Sequence, residues 1–308
     1  ALGAAALFLL GALAIPRNER LWAFLHSTPL DRFELDEDRA CVTSLVDRGD
    51  ETFLYINASW QNGHPYDSFH ILIGLLPTLV HPEPQRGLAV GLGIGSTAYS
   101  LAQNPSVRHV DCVEICGGEK RLIARLGARG STTSRRLVED PRVRLIDGDG
   151  RRFLLAGGQP YDVIVVDAVR PNTAYAGNLY SIEFYEMVKR RLAPGGLFVQ
   201  WVPTGRVLNS VMAVFPHVST TVVPEYFGSS FLIASGQRLE VDGDTLRNRF
   251  AGLDLSASFD PRQIERLRAF FHQASFERQP YRRIKDLPSA AFNHDLFPRD
   301  EYFLNNAW

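Results

Sequence analysis

The stretch Leu88-Ala-Val-Gly-Leu-Gly-Ile-Gly-Ser96 decides the fold of this 308-residue chain. Its apolar residues predict a short strand, and its alternating glycines predict a turn through which the backbone can approach a ligand. A helix is predicted from Ser96 to about Gln103. A glycine-rich turn between a strand and a helix indicates a nucleotide site, because the helix N-terminus then points at the ligand. The glycines concerned are Gly91, Gly93 and Gly95.

Strand and helix patterns alternate along the following residues. The predicted strands are Val110–Ile115, Val143–Ile146, Tyr161–Asp167 and Leu197–Trp201, with a closing antiparallel pair at Val218–Glu225 and Ser230–Ala234. Several of these strands are apolar on both faces, which is typical of a parallel sheet covered by helices on both sides. The sequence therefore predicts an α/β fold with a doubly wound, mostly parallel sheet of seven strands.

Four segments are predicted. They are the end of a transmembrane helix (1–16), a linker with a small β-rich piece and a helix (17–85), the α/β domain (86–236), and a helical extension with a tail (237–308). Residues 1–15 carry no charge and would reach about 22 Å as a helix, short of the ~30 Å hydrocarbon core. Arg17 and Arg20 then favour a cytoplasmic position for the rest. A buried core helix is the alternative.

The composition excludes some classes of protein. Lysine and arginine number 33 against 34 acidic residues, so a general nucleic-acid binder is not expected. Three cysteines cannot support a disulfide-built secreted fold in a chain of this length. Cys112 and Cys116 have no histidine pair nearby, so they are interpreted as small buried apolar residues and no metal site is predicted.

Acidic residues follow three of the predicted strands, at the edge where ligands of doubly wound sheets bind. Glu114 comes about 20 residues after the glycine turn, as expected of an acid that accepts ribose hydroxyls. Asp149, beside Gly150, suits either an adenine amino group or a plain turn. Asp167 ends the most apolar strand and is expected in the same crevice. Together these positions predict an adenosine-containing ligand.

Residues from about 52 to 202, half of the chain, resemble the spermidine synthase (polyamine aminopropyltransferase) family. The matching blocks are Leu54–Gln61 with His70, Val90–Gly95, Val113–Ile115, Asp140–Arg151, Tyr161–Asp167, Leu179–Tyr185 and Leu192–Gln200. The tail from Asn293 to Tyr302 is similar to the ending of the family's membrane-fused branch. In that branch such a domain follows transmembrane helices, which fits residues 1–16.

The resemblance implies a small β-rich piece at roughly 40–65 and a methyltransferase-like α/β domain. It also implies decarboxylated S-adenosylmethionine as co-substrate, whose aminopropyl group passes to an amine such as putrescine while methylthioadenosine leaves. Two cationic reactants need carboxylates, and the attacking amine must be unprotonated. By matching position, the donor-binding residues are Gln61, Gly91, Gly93, Gly95, Glu114, Asp149, Gly150 and Asp167, and the catalytic residues are Asp167 and His70.

Three positions depart from the family pattern where the acceptor amine would bind. Ile94 stands where the family carries an Asp, and Arg170 stands for the second acid of the motif after the fourth strand. Phe69-His70-Ile71 replaces Tyr-His-Glu. Ile94, Arg170 and Tyr180 are therefore the expected specificity residues. In a partly buried site a positive charge in place of an acid strongly disfavours a diamine.

Three functions remain open. The first is an aminopropyltransferase with an altered acceptor. That acceptor would bear a negative group, which would lie near Arg170. The second is an inactive structural or assembly subunit of a membrane complex, or a homo-oligomer, with no bound nucleoside required. The third is an S-adenosylmethionine-dependent methyltransferase, which Ala89 disfavours because such enzymes usually carry an acid two residues before the first glycine. The predicted partners are an amine and the membrane, and no nucleic acid is expected.

Overall fold

The computed structural model describes residues 3, 17–167, 170, 173–223, 229–238, 242–273, 277–278 and 286–301. The strands are β1 (Phe33–Glu37), β2 (Val42–Asp47), β3 (Thr52–Ile56), β4 (Ser59–His64), β5 (Arg86–Val90), β6 (His109–Glu114), β7 (Val143–Asp147), β8 (Tyr161–Val166), β9 (Leu192–Trp201), β10 (His217–Val223), β11 (Ser229–Ser235) and β12 (Glu277–Arg278). The helices are α1 (Asn18–Leu25), α2 (Ser68–Val80), α3 (Ser96–Leu101), α4 (Gly117–Ala128), α5 (Thr132–Glu139), α6 (Gly150–Leu155), α7 (Ile182–Arg191), α8 (Gly205–Val214), α9 (Gly243–Ala251) and α10 (Pro261–Gln273).

The larger sheet has the order β12-β10-β11-β9-β8-β5-β6-β7. Strands β9, β8, β5, β6 and β7 are parallel, and β11 pairs antiparallel with β9. This confirms the predicted α/β class with a mostly parallel sheet of seven strands, to which the two residues of β12 add a short edge. Strand order reverses on either side of β5, so the carboxyl ends of β5, β6 and β8 border one crevice.

Both faces of this sheet are covered, as the apolar strands predict. On β8, Val163 and Val165 pack into the core under α2, α3 and α4. Ile164 and Val166 point to the opposite face and pack with residues of α7 and α8. Because successive side chains of a strand alternate between faces, only a strand that is buried on both sides is apolar at every position.

A smaller antiparallel sheet, in the order β1-β2-β3-β4, precedes the α/β part. Its first strand begins at Phe33, before the predicted range of 40–65. The prediction missed β1 because its acidic residues do not have a typical strand pattern. Those acids are paired instead. Glu34 and Asp36 accept hydrogen bonds from Arg125 of α4, at 3.0 Å each. The ion pairs fix this sheet against the helix that follows β6.

Helix α2 is buried on all sides, which explains its apolar composition. Asp67 caps its N-terminus by accepting a hydrogen bond from the His70 N–H at 3.0 Å. At Gly74 a Cβ atom would lie 2.5 Å from the Thr97 carbonyl oxygen, so only glycine lets α2 approach α3 this closely. The packing brings His70 to the carboxyl end of β8.

Two parts of the chain differ from the predicted elements. Strand β9 begins at Leu192, before the predicted start at Leu197, and runs through Pro194–Gly196. The register between β8 and β9 shifts after Tyr161, and this irregularity accommodates the Pro-Gly-Gly segment. Helix α9 lies in the segment expected to be a helical extension, although no helix was predicted at these particular residues. Asp242 caps its N-terminus, since its side chain accepts hydrogen bonds from the N–H groups of Asp244 and Thr245.

Among the residues described, no helix combines the length and the apolar character needed to cross a bilayer. The predicted transmembrane end falls on residues 1–16, of which all but Gly3 lie outside the described residues.

Candidate active site

The turn after β5 has the backbone conformation that its glycines allow. Gly91, Gly93 and Gly95 have φ values of 98°, 54° and 95°, which side-chain-bearing residues rarely adopt. The Gly91 N–H donates to the Val113 carbonyl at 3.0 Å, which ties the turn to β6. At Gly95 a Cβ would lie 2.3 Å from Leu137. The turn therefore lies at the crevice, as predicted, and leads directly into α3.

Glu114 ends β6 beside this turn. Its carboxylate oxygens accept hydrogen bonds from the N–H groups of Leu92 and Cys116, at 2.8 Å each. Burial raises the pKa of Glu114, while these backbone donors act in the opposite direction. Each carboxylate oxygen has a second lone-pair direction, so a carboxylate held in this way can still accept hydrogen bonds from a diol. Its geometry suits the predicted contact with a ribose.

Asn62, which no sequence pattern indicated, contacts the glycine turn from β4. Its side-chain oxygen accepts a hydrogen bond from the Ile94 N–H at 3.0 Å, and its amide lies against Gly93. The neighbouring Gln61 donates to the Ser59 carbonyl instead, at 3.1 Å. Strand alternation separates the two side chains. Ile94 itself is fully buried in the core, so its side chain forms no wall of an open crevice.

Asp149 and Gly150 form the start of α6, after β7. Asp149 is exposed and accepts a hydrogen bond from the Arg152 N–H at 2.7 Å, so it caps the helix in this structure. Gly150 is buried, and a Cβ there would lie 2.3 Å from Val90 Cγ1. The glycine thus has a packing role, since it lets α6 approach β5.

Replacing Gly150 with Ala should destabilise the protein by about 1–3 kcal/mol, because the added methyl overlaps Val90 in a filled core. Urea unfolding measures the change. Gly205→Ala is the matched control: Gly205 is exposed at the start of α8, and nothing lies within 4 Å of the added atom. An equal loss of stability in both variants would contradict the packing argument.

Asp167, which follows β8, lies beside a histidine with two acidic neighbours. His70 Nδ1 lies 2.6 Å from the carboxylate of Asp67, and its Nε2 lies 3.9 Å from that of Asp167. The Thr97 hydroxyl, on α3, donates to the other oxygen of Asp167 at 2.5 Å. The structure thus brings His70 and Asp167 together, as predicted. Asp67 was missed, although an Asp directly before an apolar helix is a typical N-cap signal.

The charge of His70 follows from these neighbours. Burial disfavours the charged ring, but the carboxylates of Asp67 and Asp167 outweigh it and raise the pKa of His70 to about 9. Burial also acts on Asp67, yet its pKa is lowered because the charge and hydrogen bond of His70 dominate. At neutral pH the ring is therefore protonated and cannot accept a proton. Its role is to hold the two acids in place.

This ion pair gives a pH-dependent contribution to stability. The folded pKa of His70 lies above the unfolded value of 6.5, so the contribution is complete below pH 6.5 and is lost as the pH rises through about 9. In urea unfolding, His70→Gln should cost on the order of 3 kcal/mol at pH 6 and much less at pH 9.5. His272→Gln, on the exposed side of α10, is the control. A difference that stays constant across this range would contradict the assignment.

The segment after β8 contributes Tyr180 and Arg170. Tyr180 is buried, and burial followed by the charge of Asp167 raises its pKa. Arg170 is exposed, unlike the partly buried position assumed from the sequence, so water and salt weaken the repulsion expected of its charge. Residues 168, 169, 171 and 172 lie outside the described residues.

The tail of the chain holds this segment from outside. The carboxylate of Glu301 accepts hydrogen bonds from the N–H groups of Tyr175 and Gly177, at 2.6 and 3.0 Å. Asp295 forms an ion pair with Arg151 of α6 and accepts a hydrogen bond from the Ser181 hydroxyl at 2.5 Å. The predicted similarity of the tail to a family ending thus corresponds to contacts next to the candidate site.

A disulfide joins Cys41, at the start of β2, to Cys116, directly after β6. The interpretation of Cys116 as an unpaired buried residue was therefore wrong, because the partner lies 75 positions away and no local pattern indicates it. Cys112 is a buried free thiol. Atoms of Glu114, Cys116 and Glu119 lie within 4.8 Å of one another, but a sulfur bonded in a disulfide is not the thiolate that a metal requires.

The sequence of this chain is similar to that of known proteins. The family model "Spermine/spermidine synthase domain" matches residues 66–242. A polyamine aminopropyltransferase of Korarchaeum cryptofilum is 30% identical over 196 residues, covering 56% of this chain and 58% of the relative. That of Moorella thermoacetica is 30% identical over 189 residues, covering 56% and 65%. The chain therefore matches about three-fifths of the length of these relatives.

Solved structures agree on the fold. A spermidine synthase crystallised with the transition-state analogue AdoDATO superposes with a TM-score of 0.64 at 17% identity, covering 76% of this chain and 83% of that one. The spermidine synthase of Thermotoga maritima gives 0.61 at 16% identity, covering 76% and 82%.

Proposed function

This chain belongs to the spermine/spermidine synthase domain family, and from that premise we propose that it transfers an aminopropyl group from decarboxylated S-adenosylmethionine to an amine. The acceptor, we propose, differs from the family's diamine. The observation that carries the proposal is the row Asp67, His70 and Asp167, which the Thr97 hydrogen bond links to α3, the helix that directly follows the glycine turn.

The donor half of the proposed site rests on Glu114 and the glycine turn. A nucleoside placed across the carboxyl ends of β5 and β6 would direct its ribose hydroxyls to Glu114. It would lie against the protein backbone at Gly91–Gly95. The spermidine synthase solved with AdoDATO shares the fold, which supports a related ligand here. One oxygen of Asp149 already accepts a hydrogen bond from the Arg152 N–H and caps α6. A contact with an adenine would therefore have to use the other oxygen.

The proposed reaction is a displacement at carbon. The acceptor nitrogen forms a bond to the aminopropyl carbon, the bond from that carbon to sulfur breaks, and the electron pair leaves with the sulfur of methylthioadenosine. The nitrogen loses one proton. Asp167 is the group proposed to accept it, because protonated His70 cannot. His70 and Asp67 would act as positioning residues that hold Asp167 in orientation.

Charge distinguishes the proposed acceptor. Two carboxylates and one imidazolium give the Asp67–His70–Asp167 row a net charge of about −1, which suits one cationic group. Ile94 adds no acid, because its side chain is a hydrocarbon where the family carries an Asp. Arg170 adds an exposed positive charge near the exit from β8. We therefore propose an acceptor with one amine at the reacting end and a negative or neutral group at the other.

Calorimetric titration with three nucleosides tests the donor assignment. Micromolar binding of decarboxylated S-adenosylmethionine, in preference to S-adenosylmethionine, is the expected result, with methylthioadenosine also bound. Preference for the carboxylated compound would favour a methyltransferase. Binding of none of the three would favour the inactive structural subunit and would overturn the proposal.

Charge reversal at Arg170 tests the acceptor assignment. Arg170→Asp should raise turnover of putrescine by roughly tenfold, because an attractive charge replaces a repulsive one near the second amine. Arg262→Asp, on the exposed start of α10, is the matched control and should leave the rate unchanged. Rates with putrescine, each measured beside a titration with methylthioadenosine, check the prediction. An unchanged rate with intact nucleoside binding would show that Arg170 does not face the acceptor.

We also propose that the chain is anchored to a membrane, with the α/β domain on the cytoplasmic side. The charge-free residues 1–15, followed by Arg17 and Arg20, support this. Alkaline extraction of membranes carrying the chain would release it if the proposal is wrong. Protection from added protease in sealed vesicles would report the side.

A further inference from the structure

The Cys41–Cys116 disulfide connects the N-terminal sheet to the strand end that carries Glu114. The two Cα atoms lie 5.8 Å apart, although 75 positions separate the residues. The Cys116 N–H donates to Glu114 Oε1 at 2.8 Å. One end of the crosslink is thus hydrogen-bonded to the carboxylate that we assign to the ribose.

Asp38 supports the same connection without a covalent bond. One of its oxygens accepts hydrogen bonds from the N–H groups of Ala40 and Cys41, at 2.8 and 3.1 Å. The other accepts from the Gly118 N–H, in the first turn of α4, at 3.1 Å. The turn between β1 and β2 is therefore fixed to the start of α4 at both a cysteine and an aspartate.

Glu119 shows why this region needs a restraint. Its side chain is fully buried, and within the described structure neither of its oxygens has a hydrogen bond of ordinary geometry, although the backbone of Gly93 acts to lower its pKa. Oxygens of Glu114 and Glu119 lie within 4.8 Å of each other. Burial, followed by the charge of Glu114, raises the pKa of Glu119 well above its ordinary value. Two neighbouring acids in a buried place favour separation and hydration, so the first turn of α4 is held against an unfavourable arrangement.

We propose that Cys41 and Cys116 form a redox site that sets nucleoside affinity by positioning Glu114. The inference rests on the proposed function, because it concerns the same ribose contact. The reaction is thiol–disulfide exchange with a low-molecular-weight disulfide. The sulfur–sulfur bond of the protein forms, the sulfur–sulfur bond of the reagent breaks, and two electrons and two protons pass to the reagent, which leaves as two small thiols. Reduction by a dithiol reverses every step.

Reduction weakens binding for a steric and an electrostatic reason. Two unbonded thiols need more room than a disulfide, and both cysteines are buried, at 6% and 5% exposure. The segment from Ile115 to Gly118 must move to provide that room. Movement there removes the Cys116 hydrogen bond from Glu114 and lets Glu119 change its distance from that carboxylate. The acid that receives the ribose then loses its fixed orientation.

Calorimetric titration with methylthioadenosine, in oxidised and in fully reduced protein, tests the proposal. We expect roughly 5- to 150-fold weaker binding in the reduced state, the usual range for coupling between two sites. Thiol titration of the unfolded protein defines the states: one thiol when oxidised, from Cys112, and three when reduced. Cys41→Ser should bind like the reduced protein under either condition. Cys112→Ser should retain the difference between the states.

The outcomes separate two failures. Equal affinities, with thiol counts of one and three, overturn the redox site and leave the proposed function standing. A thiol count that stays at one after long incubation with dithiothreitol also overturns it, because the bond is then purely structural. Absence of binding in both states overturns the proposed function and this inference with it. If Cys41→Ser does not fold, the comparison of the two states of the unaltered chain still decides.

Discussion

Glu114→Gln should weaken the binding of methylthioadenosine by roughly 100-fold or more, the largest loss of affinity expected of any single change at this site. A hydrogen bond to a charged group contributes about 1.5–3 kcal/mol, and the carboxylate is proposed to accept more than one from the ribose. In Glu114, the carboxylate accepts hydrogen bonds from the Leu92 and Cys116 N–H groups, at 2.8 Å each. The glutamine amide would place its own N–H₂ group against one of these donors and lose that hydrogen bond. Calorimetric titration measures the affinity.

Glu265→Gln is the matched control for this change. Glu265 lies on α10, and its side chain is 74% exposed, so loss of its charge should not alter nucleoside binding. Thermal unfolding of both variants shows whether Glu114→Gln remains folded. A folded Glu114→Gln variant with unchanged affinity would mean that the ribose binds elsewhere, and the donor half of the site would have to be reassigned.

Asp167→Asn should lower kcat by roughly 100-fold or more, while the affinity for methylthioadenosine changes little. General acid–base groups contribute typically 10²–10⁴ in rate, and an amide cannot accept the proton from the acceptor nitrogen. The Thr97 hydroxyl can still donate to the amide oxygen, so the position of the side chain is preserved. Single-turnover rates with a fixed donor and the best acceptor separate the chemical step from binding.

Asp162→Asn is the control, because Asp162 lies on the same strand at its opposite end. Its carboxylate oxygen accepts hydrogen bonds from the Gln85 and Arg86 N–H groups, at 2.8 and 2.9 Å, and an asparagine oxygen can replace it. The variant should retain the rate of the unaltered chain. If Asp167→Asn instead retained full turnover, another group would have to take the proton and the assignment of the row would fail.

The sequence predicted those site residues that directly follow strands. Gly91, Glu114 and Asp167 come to one crevice because carboxyl ends of parallel strands share an edge, which needs no knowledge of distant contacts. Asn62 and Asp67 were missed because they come from the small sheet and the start of α2, whose placement depends on tertiary packing. Cys41 was missed for the same reason.

The limits of fold prediction had a similar origin. Every residue of α2 from Ser68 to Leu79 is buried, and the apolar run alone indicated the helix. In contrast, Glu34 and Asp36 made β1 look like a charged linker, because their partner Arg125 lies about 90 positions further along. A strand with acidic side chains can be predicted only when the basic residues that pair with it are known. Here those residues lie far away in the sequence, so the local pattern does not show them.

The contacts of Glu301 with Tyr175 and Gly177 have a consequence for how such a domain can be exchanged between proteins. The family match spans residues 66–242, yet Asn62 touches the glycine turn from before it, and Glu301 holds Tyr175 and Gly177 from after it. Grafting the matched segment alone into a relative would carry over the sheet and leave its crevice with foreign supports. A working chimera would therefore have to carry Asn62 and Glu301 together with the matched segment.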